Sequence, residues 1–124
     1  MSDAGGSVDW QHLREFAAVD LSKSFVLSWH MESDNLMVDV DLYLTPEHPF
    51  YEKPRPAEKI CIRPACIEFP YCDSVTHDGE EGAESIGIGA IKNLVVRDGI
   101  YEISGEFGTV VVDAERPLLR LKGA

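Results

Sequence analysis

A chain of 124 residues fits the usual size of one domain, and 44% hydrophobic with 27% charged residues is a globular balance that excludes wholesale disorder. Eleven Lys and Arg stand against 22 Asp and Glu, a formal charge of −11 that repels nucleic-acid phosphates and anionic lipid; no nucleic-acid and no membrane partner is expected. Cys61, Cys66 and Cys72 make an odd count, and Met1 to Ser7 has neither the basic nor the apolar region of a secretory signal, which reads as reduced thiols in a cytoplasmic protein.

In chain order, residues 1–7 are small and polar and are read as disordered. From Val8 to Val19 the apolar positions Val8, Leu13, Phe16, Ala17 and Val19 follow a loose helical spacing with Ser7 or Asp9 as cap, which predicts one short helix. After Ser22 the period becomes two. Phe25, Leu27, Trp29 and Met31 then face one way and Ser24, Val26, Ser28 and His30 the other. With Ser33 and Asp34 as turn residues, a hairpin places Met31 opposite Leu36, Trp29 opposite Val38, Leu27 opposite Val40 and Phe25 opposite Leu42. The other face then pairs His30 with Met37, Ser28 with Asp39, Val26 with Asp41 and Ser24 with Tyr43.

Residues 45–57 hold Pro46, Pro49, Pro54 and Pro56 and form an extended loop. Ile60, Ile62, Ile67 and Phe69 suggest a strand interrupted or bulged near Arg63 and Pro64. Residues 73–85 are acidic, contain glycine and lack periodicity, and read as a mobile loop. Asp98-Gly99 is the best two-residue hairpin signal, setting Val96 opposite Tyr101 and Leu94 opposite Ile103. A turn near Gly105-Glu106 leads into Phe107 to Val112, and Leu118 to Leu121 reads as a last edge strand after Pro117. The prediction is a single domain over 1–124, mainly β, an antiparallel meander of about seven to eight short strands closing into a sandwich or barrel.

Ser28, His30 and Asp39 invite a catalytic-triad reading, but an open strand face offers no oxyanion donors, so no catalytic residue is assigned. Cys66, Cys72 and His77 are weak metal candidates whose intervals match no paired-cysteine finger; neither metal nor cofactor is assigned. Gly87 and Gly89 run on into strand and lack a phosphate-loop lysine, and His12 with Glu15 lacks a second histidine. The Pro-rich loop displays His48, Phe50 and Tyr51, either for binding or as a cap on the core. The functional reading is a small acidic, non-enzymatic interaction module for a basic protein, with His48, Phe50, Tyr51, Asp39 and Asp41 as candidate binding residues. The alternatives are a small enzyme or ligand-binding barrel with its site at one open end, lined by His48, Tyr51, Cys72 or His77, and a homodimeric sheet protein.

Overall fold

The computed structural model describes residues 7–49, 51, 61–84 and 86–122. Among the described residues ten strands form: β1 (Val8–Asp9), β2 (Val19–Glu32), β3 (Asn35–Leu44), β4 (Cys61–Phe69), β5 (Ser74–His77), β6 (Glu80–Glu81), β7 (Gly89–Arg97), β8 (Ile100–Gly105), β9 (Gly108–Asp113) and β10 (Leu118–Leu121). All pair antiparallel, in the order β10-β4-β3-β2-β7-β8-β9-β5-β6, with β1 beside β7. The expected closure of seven or eight strands is replaced by ten strands in an open sheet that ends at β10 and β6. β2 and β7 are partners only at Phe25 with Ala90 and Val26 with Gly89, so the sheet divides there into two halves. Phe69 on β4 stands edge-on to Tyr101 on β8 at 5.3 Å, and Trp29 on β2 stands edge-on to Phe107 at 5.1 Å. Strands four places apart in the order touch because the halves fold face to face over one core containing Leu36, Leu42 and Ile67 from one side and Leu94, Val110 and Val112 from the other.

The first hairpin turns at Ser33-Asp34, with Ser33 at φ 54, and the pairs Met31–Leu36, His30–Met37, Trp29–Val38 and Ser28–Asp39 form as expected. Beyond them the expected register fails. Val26 pairs with Val40 while Ser28 pairs with Asp39, so Leu27 is an extra residue, a β-bulge. Leu27 and Ser28 therefore both lie on the outer side, and Phe25 faces Asp41 rather than Leu42. Val26, expected outside, is 0% exposed, whereas Phe25 and Leu27, expected inside, are 38% and 42% exposed. A second irregularity between Asp20 and Phe25 turns Ser24 inward. There its hydroxyl donates to the Asp20 carbonyl at 2.9 Å and accepts the Tyr43 N–H at 3.0 Å, replacing ladder bonds that the irregularity removes. The bulges let one strand serve both halves: β2 pairs with β3 on one side and β7 on the other, while Trp29 stays inside with its Nε1–H donated to the Gly87 carbonyl at 2.8 Å.

No α-helix forms over the expected Val8 to Val19. Val8 and Asp9 pair with Val96 and Val95, two 3-10 turns follow at Trp10–His12 and Arg14–Phe16, and Val19 already belongs to β2. The loose apolar spacing instead sends Trp10 and Phe16 into the core. β4 runs through Pro64 without the expected interruption. The Pro64 carbonyl accepts the Lys122 N–H at 2.9 Å, so the missing Pro64 donor points to the β10 side, where that edge strand has ended. The segment expected as a loop over 73–85 contains β5, paired with β9, and β6. At Asp98-Gly99 both φ values are positive, 51 and 79, as a tight hairpin requires, and Val96–Tyr101 and Leu94–Ile103 pair as expected. A Cβ on Gly105 would lie 2.2 Å from the Ala90 carbonyl oxygen, so the approach of β8 to β7 depends on that glycine.

Candidate functional site

On the outer face of β10-β4-β3-β2 the register builds rows of side chains. One runs Leu118, Glu68, Met37, His30 and the next Arg120, Cys66, Asp39, Ser28. Ser28 Oγ donates to Asp39 Oδ2 at 2.7 Å, while His30 Nε2 lies 2.9 Å from Glu32 and its Nδ1 3.9 Å from Asp39. The serine proton is thus directed at the carboxylate and not at the imidazole, which is not the nucleophile-base arrangement of a triad. Lys122 donates to Asp39, and Arg120 Nε donates to Glu68 at 3.0 Å. Partial burial raises the Asp39 carboxyl, but the hydrogen bonds from Lys122 and Ser28 outweigh it and hold the group below its ordinary value. Asp41 lies one row further, between Phe25 and Pro64.

The remaining candidates are dispersed. Burial pushes the Cys66 thiol up, with Asp39 adding to it. Burial also pushes up Cys72, whose thiol donates to the Ser74 carbonyl at 3.4 Å. His77 Nε2 donates to the Phe107 carbonyl at 2.6 Å and lies 3.2 Å from Asp78. Among the described residues no three His, Cys, Asp or Glu side chains are grouped to hold a metal ion. In the Pro-rich loop Tyr51 packs against the core and burial lowers His48, while Phe50 lies outside the described residues. Glu15 is engaged by Arg116 through two hydrogen bonds of 2.5 and 2.9 Å that join the N-terminal turn to the approach to β10.

The outer face of the other half was not singled out by motif. Its register forms a row across six strands, Asp9, Val95, Glu102, Val111, Thr76 and Glu81, beside a second row of Arg97, Ile100, Asp113 and Ser74. An open groove of about 540 Å³ runs along it, lined by Ser7, Val95, Arg97, Asp98, Ile100 and Glu102. Residues 73–115 hold ten of the 22 acids but only two of the 11 bases, Lys92 and Arg97, and so carry −8 of the total −11. That count was the signal available in the sequence. Among the described residues the one ion pair within this stretch is His77 with Asp78, so Glu81, Glu102 and Asp113 face solvent without a cation. No helix among the described residues is long and apolar enough to cross a membrane. Compared with protein-family models, with curated proteins and with solved structures, the chain matches none.

Proposed function

We propose that this protein is a non-enzymatic interaction module whose β7-β8-β9-β5-β6 half presents an acidic face to a basic protein. The observation that carries the reading is the segregation of charge: −8 lies in residues 73–115, where the strands carry Glu80, Glu81, Glu102 and Asp113 with no ion pair among the described residues and the turns and connections carry the other six acids. A face of this kind raises the encounter rate with a cationic surface and rejects acidic competitors by several kcal/mol of like-charge repulsion. Val95 lies between Asp9 and Glu102, Val111 beside Glu102, and Ile100 between Arg97 and Asp113, so the partner meets apolar contact with carboxylates and one arginine around it. Asp39 has a smaller part in such binding than its position suggests, because Lys122 already satisfies it.

The test compares two sets of substitutions that change net charge equally. Glu81→Gln, Glu102→Gln and Asp113→Asn are combined in one variant, and Asp20→Asn, Glu32→Gln and Asp41→Asn in the other. Affinity for a lysine dodecapeptide is measured by calorimetry at low salt. The first set is expected to weaken binding by about tenfold or more, equivalent to about 1.4 kcal/mol, and the second by less than about threefold. Equal losses would show that only net charge matters and that no acidic binding face exists.

A further inference from the structure

The outer face of β10-β4-β3-β2 has no more than the minor part of Asp39 in that reading, yet it is the more apolar of the two. We infer that it is a self-association surface on which a second copy of this chain docks through the same face. The inference is independent of the acidic-face proposal.

Phe25, Leu27, Ile62 and Leu118 are exposed there, on β2, β4 and β10, with Met37 and Tyr43 half-buried between them. The bulge is what brings Leu27 outward, and the β2–β7 register continued by one residue sets it opposite Ile88, which is 59% exposed. Exposed apolar side chains gathered on one sheet face, rather than scattered, mark a contact surface.

Charge decides what covers it. Most ionic groups of this face are matched internally, Lys122 with Asp39, Arg120 with Glu68 and the Lys23 ammonium 4.9 Å above the Tyr43 ring, while Asp41 has no cation among the described residues. The described residues of 19–69 and 118–122 hold seven acids and four bases, a net −3 against the −8 of residues 73–115. A second copy itself carries −11, so it is repelled most by the acidic half and least here. A basic partner gains little from a face on which Asp39 and Glu68 are already satisfied and Asp41 is left without a cation among the described residues, whereas an identical face meets it largely apolar against apolar. A two-fold contact also requires a self-complementary patch, and this near-neutral one qualifies.

The size sets the strength. β4 has nine residues, about 30 Å of strand, and β10 only four, about 13 Å, so with about 4.8 Å per strand the four strands give a projected area of about 490 Å² before side-chain relief is counted. That approaches the lower range of the roughly 800 Å² per partner of a standard interface, so association in the micromolar range is expected.

Sedimentation equilibrium of the full chain from about 1 to about 300 μM tests this. The expected result is an average mass rising with concentration from 13.8 kDa towards twice that value. Raising NaCl from about 50 to about 500 mM is expected to tighten the dimer, because salt screens the repulsion between two −11 chains. The same salt weakens lysine-peptide binding by the acidic face, so the two readings fail separately. Leu27→Glu and, separately, Leu118→Glu should each weaken self-association by about tenfold or more. Both side chains are exposed, and Leu118 lies on the edge strand away from the bulge, so it remains decisive if Leu27→Glu disturbs the fold. A mass of 13.8 kDa throughout, or a dimer unaffected by either substitution, overturns the proposal.

Discussion

The two halves of the sheet line the same core with aliphatic and aromatic side chains but finish their outer faces differently. On β10-β4-β3-β2 the carboxylates Asp39 and Glu68 take Lys122 and Arg120, and exposed apolar groups stand among them. On β7-β8-β9-β5-β6 the outward carboxylates stand without cations beside β-branched side chains. A sheet with one face buried is free on the other, so the outer face records what the molecule meets and the inner one records how it holds together. Net charge alone hides this, because −11 is a sum over the whole chain that does not separate two unlike surfaces.

The comparison rests first on the inward seam that joins the halves, and Trp29 is its centre. Trp29→Ala removes the edge-on contact with Phe107 and the hydrogen bond to Gly87 and leaves a cavity, so denaturant melts should show a loss of about 3–5 kcal/mol. The bulge is tested next to it. Val26→Thr places a hydroxyl in a fully buried site and is expected to cost about 1–3 kcal/mol, whereas Leu27→Thr on the adjacent exposed position should stay within about 0.5 kcal/mol. The reverse order would mean that the strand is faced the other way.

Acid titration sharpens the contrast in ion pairing. The Arg116 fork holds the Glu15 carboxyl below its usual range, and Lys122 and Ser28 overcome burial to do the same for Asp39. A depressed folded pKa stabilises fully above the ordinary values of 4.5 and 3.8 and is lost as pH falls through the lower folded values. The urea midpoint should therefore drop below about pH 4, and Glu15→Gln with Asp39→Asn should flatten that limb. The smallest expected effect is from chelator and reductant, which should leave the melting temperature the same, since no disulfide joins Cys61, Cys66 and Cys72 and an aliphatic core carries the fold.

Both tight hairpins were legible because two turn residues fix a register locally, Ser33-Asp34 in one and Asp98-Gly99 in the other. The Leu27 bulge was not legible, since it is set by partners far along the chain: β7 beside Val26 and the Gly87 carbonyl that takes Trp29, 58 residues away. Val8 and Asp9 misled for the same reason, their spacing resembling a helix while their hydrogen bonds go to Val95 and Val96. The strand Ser74–His77 lay hidden in an acidic stretch because its β character comes from pairing with β9. Of the candidate binding residues, Asp39 and Asp41 were placed on a common outer face by alternation alone. The satisfaction of Asp39 by Lys122 was out of reach, because that contact joins positions 83 apart.

The most direct test of two faces with two roles is one set of amide NMR spectra of the full chain, recorded against protein concentration and then against added lysine dodecapeptide at low salt. The account predicts two separate sets of shifting residues. Dilution should move Phe25, Leu27, Ile62 and Leu118, and the peptide should move Thr76, Glu81, Glu102, Val111 and Asp113. Peptide-induced shifts spread equally over both halves, or centred on β2 and β4, would contradict it.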